Sequence, residues 1–129
     1  MTPNKAKRVS SFGGLYHFKK EQKPKEAGQA TNCLDCKVKD SCAYSATQLY
    51  VEQAKRLNRN WPVSVVCRGE EVEAVTETDL EDLVIGKLRQ GNYGRCVYEM
   101  EDNDVCDYQV VNVEFEGKDS SLTMVAFNC

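Results

Sequence analysis

The sequence predicts an α+β fold, in which two helices cover one face of a mainly antiparallel sheet. Two stretches in the middle of the chain repeat apolar residues at helical spacing, whereas the last third alternates polar and apolar residues as strands do. Short turns rich in Asp, Asn and Gly separate these alternating runs, which favours antiparallel neighbours. The chain has 129 residues, enough for one domain with a core of its own.

The first third of the chain predicts one strand followed by a polar loop. Polar and apolar side chains alternate over residues 8–12, and Gly13 with Gly14 permits a bend after that strand. Residues 19–31 are polar and contain Pro24 among several lysines and glutamates. We interpret this segment as an exposed, solvated loop.

Two helices are predicted from the spacing of apolar residues. The first covers residues 43–57, where apolar side chains recur at steps of three and four. The second begins at a capping-box pattern formed by Thr78 and Glu81 and ends at Gly91, a natural C-terminal stop. Its predicted buried side consists of Leu80, Leu83, Val84, Ile85 and Leu88.

The remaining segments are predicted as strands and irregular links. The β-branched run at residues 63–67 predicts a short strand, and the acidic residues 68–75 predict an irregular segment. The last third predicts three further strands, at residues 95–100, 105–116 and 120–128, with turns at residues 101–104 and 116–119. Both ends of the chain lie close to predicted strands, so we expect a fragment of a longer protein.

Composition excludes several classes of protein. The 17 Lys and Arg residues against 20 Asp and Glu residues give a net charge of −3, whereas a nucleic-acid-binding domain carries a basic surface. No run approaches the roughly 18 apolar residues of a membrane-spanning helix. The basic N-terminus lacks the apolar stretch of a secretory signal. We therefore expect a cytoplasmic protein with reduced thiols, and neither nucleic acid nor membrane as a partner.

Cysteine is the compositional outlier, with seven residues, and an odd count excludes a framework in which every cysteine is paired. Cys33, Cys36 and Cys42 are clustered, and two thiolates two residues apart in a tight turn can bind one tetrahedral zinc ion. Zinc needs four ligands, and His17 is the reserve candidate for the fourth. Free thiols and a local disulfide are the alternatives, while a redox-active Cys33 and Cys36 pair would lack the βαβ context of such motifs.

Short segments along nearly the whole chain carry a family resemblance. They are RVSSFG at 8–13, CLDC at 33–36, SCAYSA at 41–46, WPVSVV at 61–66, YGRCVY at 93–98, DNDV at 102–105 and DYQVVN at 107–112. Together they resemble the C-terminal domain of the Gfo/Idh/MocA oxidoreductases, the relatives of glucose–fructose oxidoreductase and inositol dehydrogenase. The similarity is to a branch of NAD(P)-dependent dehydrogenases that carries the cysteine cluster, although Tyr108 stands where relatives commonly have histidine.

The resemblance implies that residues 1–129 form part of a C-terminal substrate and oligomerisation domain within a two-domain enzyme. The family's N-terminal Rossmann domain, with its G-x-G-x-x-G turn, binds NAD or NADP, and that motif is absent from this sequence. The parent enzyme is expected to transfer a hydride between the nicotinamide and a sugar or polyol. This chain alone is expected to bind no such cofactor and to form a homo-oligomer through its sheet.

The resemblance also implies functional residues. Asp104, Asp107 and Gln109 are expected to approach the substrate, and Cys96 is the expected fourth zinc ligand, since it lies in a segment that matches the cysteine-bearing branch. His17, the single histidine, lies just after the first predicted strand and is a candidate substrate-side group. A histidine without a partner is nevertheless more often a surface residue, and an acidic run such as residues 99–107 is more often a solvated turn.

Two other functions are the alternatives. A small zinc-stabilised interaction module would bind zinc stoichiometrically and unfold when a chelator removes it. A thiol oxidoreductase would show a lowered thiol pKa at Cys33 or Cys36.

Overall fold

The computed structural model describes residues 5–116 and 121–127, and this part of the chain contains a three-stranded antiparallel sheet. Its strands are β1 (Ala6–Gly14), β2 (Tyr108–Phe115) and β3 (Ser121–Phe127), in the order β1-β2-β3. The predicted α+β class and antiparallel sheet are confirmed. The predicted turn at residues 116–119 and the ends of the last predicted strand, residues 120 and 128, lie largely outside the described residues.

The register of β1 on β2 explains why two glycines lie inside a strand. Gly13 pairs with Gln109, and Gly14 pairs with Tyr108. A Cβ atom at Gly13 would lie 2.8 Å from the backbone oxygen of Tyr108, so glycine permits a close approach that a side chain would prevent. The chain therefore stays paired through both glycines, and the predicted bend comes after them.

Four α-helices lie between β1 and β2 in the described chain: α1 (Glu52–Lys55), α2 (Val63–Val66), α3 (Gly69–Ala74) and α4 (Leu80–Gln90). A π-helical turn at Thr47–Val51 leads directly into α1, and both lie within the helix predicted at residues 43–57. Short 3-10 turns occur at Lys20–Gln22, Lys25–Ala27, Cys33–Asp35 and Asn92–Gly94. No helix in the described residues is long and apolar enough to cross a lipid bilayer.

The helix α4 confirms the second predicted helix. It buries Leu80, Val84 and Leu88, and it stops at Gly91, whose N–H donates to the Lys87 carbonyl at 2.8 Å. The predicted hydroxyl cap is wrong, because Thr78 makes no hydrogen bond to the first turn and instead lies 2.9 Å from the Thr76 hydroxyl.

The helices α2 and α3 replace a predicted strand and a predicted irregular link. Val63 and Cys67 are both fully buried, and their separation of four residues places them on one helical face. A short β-branched run does not by itself distinguish a strand from a buried helix, so the strand prediction there is wrong. α3 begins where the Arg68 N–H donates to the Glu71 carboxylate at 3.1 Å, and it buries Val72.

The strand predicted at residues 95–100 is also wrong. A single antiparallel bridge joins Arg95 to Asn32, and the Cys96 N–H donates to the Thr31 carbonyl at 2.8 Å. Cys96 and Tyr98 are both buried, so the alternating pattern is satisfied by a turn, which the Glu99 N–H closes by donating to the Cys96 carbonyl at 3.0 Å.

The hydrophobic core lies among the helices and their connections. Its buried members are Cys33, Ala46, Val51, Ala54, Val63, Cys67, Val72, Leu80, Val84 and Leu88. None of the described strand residues belongs to it. The expected cover of two helices over one sheet face is therefore not observed, because α4 packs its apolar side against α1 and α2.

The sheet is exposed as a consequence. β1 is exposed from Ala6 to Gly13, and β2 is half-buried along its whole length. Val9 and Phe12 of β1 remain 60% and 69% exposed, which is unusual for large apolar side chains in a sheet.

Candidate functional site

The four cysteines predicted as zinc ligands line one small cavity. Cys33, Cys36, Cys42 and Cys96 contribute to its wall, together with Tyr44 and Tyr98 among others, and its volume is about 20 Å³. Cys33 and Cys96 are buried, whereas Cys36 and Cys42 are half-buried. The structure therefore brings together thiols that are separated by up to 63 residues in the sequence (33 to 96).

Local backbone hydrogen bonds bring these thiols together. The side chain of Asn32 accepts the Leu34 N–H at 2.9 Å and caps the turn that begins at Cys33. The Cys36 N–H then donates to the Cys33 carbonyl at 3.2 Å, which closes the tight turn between the first two cysteines. The bridge from Asn32 to Arg95 places the next residue, Cys96, beside this turn.

The electrostatics of Cys33 do not favour a redox thiol. Burial raises the pKa of Cys33, and the neighbouring Cys96, Cys42 and Cys36 add to this rise, while a hydrogen bond with the Ala46 backbone opposes it. A nucleophilic thiol requires the opposite direction. The six cysteines of the described chain are free thiols rather than disulfides.

The four thiols fit the donor chemistry of zinc, but their sulfur atoms do not converge on one point in the structure. Four thiols match the number and type of ligand that a structural zinc ion takes. Within residues 5–116 and 121–127, however, no group of three or more His, Cys, Asp or Glu side chains is arranged to hold an ion. His17, the reserve ligand, is not among the residues that line the cavity.

An aromatic cluster borders the cavity and contains His17. The rings of His17, Phe18, Tyr44 and Tyr98 lie in mutual contact, with centroid separations from 5.0 to 6.4 Å. The phenol oxygen of Tyr98 lies 2.9 Å from Nε2 of His17. His17 is therefore not an unpartnered surface histidine. Its partner, a tyrosine 81 residues away in the sequence, was not predicted, because no local pattern contains it.

Asp107 lies directly before β2 and is buried, in contrast to the solvated turn expected for residues 99–107. Its carboxylate accepts backbone N–H groups from Tyr16 at 3.0 Å, His17 at 2.5 Å and Phe18 at 2.9 Å. Burial acts to raise the pKa of Asp107, but these three amides and the nearby His17 hold it below its usual value. The carboxylate thus fastens the segment that follows β1 to the start of β2.

The other two predicted substrate residues lie close by but are exposed or paired. Asp104 is exposed, three residues before Asp107. The side-chain amide of Gln109 donates to the Ser11 hydroxyl at 3.0 Å across the β1–β2 pair. His17, Asp107 and Gln109 therefore lie at the end of the sheet where β1 stops and β2 starts.

A cleft of about 270 Å³ opens beside the aromatic cluster. Phe18, Tyr98, Glu99 and Asn103 are among its lining residues. Glu99 is held by Lys23, whose ammonium lies 2.7 Å from both the Glu99 carboxylate and the Ala30 carbonyl. The hydrogen bond from Lys23 is the main reason that the pKa of Glu99 is lowered.

The Lys23 side chain is only 7% exposed, so the prediction of a solvated loop at residues 19–31 is wrong at this position. The loop folds over Glu99 because the carboxylate offers the lysine a charged partner that compensates for lost hydration. The lining of the cleft therefore combines aromatic rings with a carboxylate, Glu99, that Lys23 holds in place.

No protein-family model, curated protein or solved structure matches this chain. The family resemblance therefore rests only on the segments quoted from the sequence, and function has to be argued from the arrangement of the side chains.

Proposed function

We propose that this chain is the C-terminal domain of an NAD(P)-dependent oxidoreductase of the Gfo/Idh/MocA type. In this proposal the domain supplies one wall of the cleft for a sugar or polyol and a surface for subunit contacts. NAD or NADP is bound by a Rossmann domain of the parent enzyme, and the chain alone is not active.

The observation that carries the proposal is the uncovered sheet. On one face, Val9 is exposed and pairs with Val113 of β2. Val111 lies on the same face and pairs with Met124 of β3, which is 55% exposed. Phe12 belongs to the other face, next to Val110 and Val125, and is 69% exposed.

Apolar side chains on both faces of a three-stranded sheet require cover from another subunit or domain. In the Gfo/Idh/MocA family the C-terminal sheet supports subunit contacts, so a second subunit would supply this cover. We therefore propose a homo-oligomer formed through the sheet.

A second line of support comes from the sheet end where β1 stops. His17, Asp107 and Gln109 lie there, with Asp104 three residues before Asp107 in the sequence, although none of the four lines the cleft of about 270 Å³ beside the aromatic cluster. Aromatic faces combined with a few fixed polar groups are typical of small-ligand sites. The hydroxyl groups of a sugar or polyol would find both kinds of contact here.

The proposal is tested first on the parent enzyme. We expect the genomic sequence upstream of Met1 to encode a G-x-G-x-x-G turn after a strand, and the full product to bind NADH or NADPH in a fluorescence titration. A full-length product that binds neither nucleotide would overturn the oxidoreductase assignment. The subunit contact is tested separately by light scattering, where a monomer at every concentration would count against the sheet as an interface.

A zinc-stabilised interaction module is the second candidate function, and the cavity lined by four cysteines favours it. The two candidates differ in one measurement, because only the oxidoreductase assignment requires nicotinamide binding by the full-length product. Zinc by itself is compatible with both.

A further inference from the structure

The cavity between the cysteine turn and the segment at residues 95–98 has an unusual lining. Cys33, Cys36, Cys42 and Cys96 are the strong metal donors in it, and its volume of about 20 Å³ corresponds to one water-sized occupant. Four of its eleven lining residues are cysteines, and a cavity of this size suits a single ion better than an organic ligand.

A second, independent observation is an unsatisfied hydroxyl in the same wall. Ser45 is 2% exposed, it lines the cavity, and its Oγ has no hydrogen-bond partner among the described residues. A buried hydroxyl without a partner is unfavourable by about 1–3 kcal/mol. A thiolate sulfur bound to a metal in this cavity would accept a hydrogen bond from the Ser45 hydroxyl, as metal ligands commonly do from the groups around them.

We propose that Cys33, Cys36, Cys42 and Cys96 bind one zinc ion in this cavity as a structural site. Each thiol loses its proton on binding, and no electron is transferred. This inference goes beyond the oxidoreductase function and does not depend on it.

Because no three of these donors are arranged around one point in the described part of the chain, the sulfur atoms would reach the ion by rotation of their side chains. A cysteine has one side-chain torsion with three staggered positions, so its sulfur can move without a change in the backbone. Cys36 and Cys42 are half-buried and therefore the freest to rotate. The buried Cys33 and Cys96 are the fixed half of the site, held by the backbone bridge from Asn32 to Arg95.

One positive charge at the cysteine turn suits a zinc tetrathiolate. Four thiolates and one Zn²⁺ carry a net charge of about −2, which needs positive neighbours. Lys37 and Lys39 both lie between Cys36 and Cys42, and the Lys39 ammonium donates to the Leu34 carbonyl at 3.1 Å, inside the cysteine turn. The same loop carries Asp35, which is paired with Arg89, and Asp40, so Lys39 is the compensating charge that a hydrogen bond places inside the turn.

The site would fasten a part of the chain that has little regular structure. From residue 20 to residue 46 the described chain contains 3-10 turns but no strand and no helix longer than a turn. Zinc would cross-link three pieces of this region: the turn at Cys33, the loop that ends at Cys42, and the segment that carries Cys96.

The experiment measures metal in the whole chain, purified without chelator from medium supplemented with zinc chloride. We expect one zinc per chain by plasma mass spectrometry. The double variant Cys36→Ser/Cys42→Ser is expected to lose at least nine-tenths of this zinc, and Cys106→Ser, which changes an exposed thiol outside the cavity, is expected to keep it. Circular dichroism of each variant separates metal loss from unfolding.

A second measurement does not need the variants to fold. In the unmodified protein, zinc should protect four thiols from a disulfide reagent under native conditions, and a chelator should expose them. Cobalt(II) added after zinc removal should give the visible bands of a tetrahedral thiolate site. Protein without metal and without thiol protection, iron in place of zinc, a disulfide among these cysteines, or equal zinc in Cys36→Ser/Cys42→Ser would each overturn the proposal.

Discussion

Asp107 accepts the backbone N–H of His17 at a distance of 2.5 Å, across 90 residues of sequence. The same carboxylate holds the amides of Tyr16 and Phe18, so one side chain fixes the exit of β1 against the entrance of β2. The negative charge of Asp107 is what makes this arrangement favourable, and the arrangement is therefore sensitive to acid.

The first prediction concerns pH. Asp107 and Glu99 both have pKa values below their usual range, so their ionised forms favour the folded state. Their contribution to the free energy of unfolding is present above the unfolded pKa, about 4, and disappears as the pH falls through the lower folded values. We expect urea titrations to give constant stability between about pH 7 and 5 and a steep decline below about pH 4.

The variant Asp107→Asn tests whether protonation of Asp107 causes part of this loss of stability at low pH. It should be less stable than the unmodified protein at pH 7, because a neutral amide accepts the three backbone N–H groups more weakly. Its stability should also fall less between pH 5 and pH 3. Asp104→Asn is the matched control, since Asp104 is exposed. An identical acid response in all three proteins would contradict this role for Asp107.

The second prediction concerns the ion pair between Lys23 and Glu99. Lys23→Met should lower the melting temperature by several degrees, because the largely buried Glu99 carboxylate then loses its closest partner. Lys20→Met should have a much smaller effect, since Lys20 is 66% exposed and lies 3.6 Å from the same carboxylate. Thermal unfolding followed by circular dichroism compares the two variants, and equal effects would refute the distinction.

The third prediction uses two glycines near the same helix. A Cβ at Gly94 would lie 2.0 Å from the Leu88 carbonyl oxygen, so Gly94→Ala should strongly destabilise the protein. A Cβ at Gly86, inside α4, meets nothing within 4 Å, so Gly86→Ala should stabilise it by about 1 kcal/mol. Urea denaturation measures both, and the prediction fails if the two changes have the same sign.

The fourth prediction concerns the core. Leu88 is fully buried at the C-terminal end of α4, and Leu88→Ala should reduce the free energy of unfolding by about 2–5 kcal/mol. Leu49→Ala is the control, because Leu49 is 45% exposed, and it should reduce stability by less than about 1 kcal/mol. A small effect at Leu88 would place the centre of the core elsewhere.

The fifth prediction concerns self-association through the sheet. Phe12→Glu should shift the protein towards monomer, because a charge cannot be buried unpaired in an apolar interface. Leu49→Glu introduces the same charge at an exposed site in the helical part and should leave the oligomer unchanged. Light scattering over a range of concentrations reads out both variants. Dissociation by Leu49→Glu alone would move the interface away from the sheet.

Long periodic segments were predictable from the sequence, and most short ones were not. The strands β2 and β3 and the helix α4 follow from alternation or helical spacing sustained over seven or more residues, whereas β1 was predicted from a five-residue alternation at residues 8–12. In α2, by contrast, four β-branched or small residues form a helix because burial of Val63 and Cys67 on one face outweighs local propensity.

The candidate site was predictable in its composition but not in its surroundings. The clustering of Cys33, Cys36 and Cys42 and the family resemblance of Cys96 identified the four thiols that line the cavity. The Tyr98 partner of His17 and the Lys23 partner of Glu99 are 81 and 76 residues distant in sequence. No local pattern contains such pairs, because they depend on how the loops fold over one another.

The pairing of β1 with β2 has a consequence for the order of folding. Gly14 meets Tyr108, and Val9 meets Val113, so this ladder closes a loop of roughly 100 residues. The helices between them make their contacts locally and can assemble early, whereas β1 must wait until the last third of the chain has been synthesised. During translation the backbone edges of β1 are therefore open to chaperones and to other nascent chains.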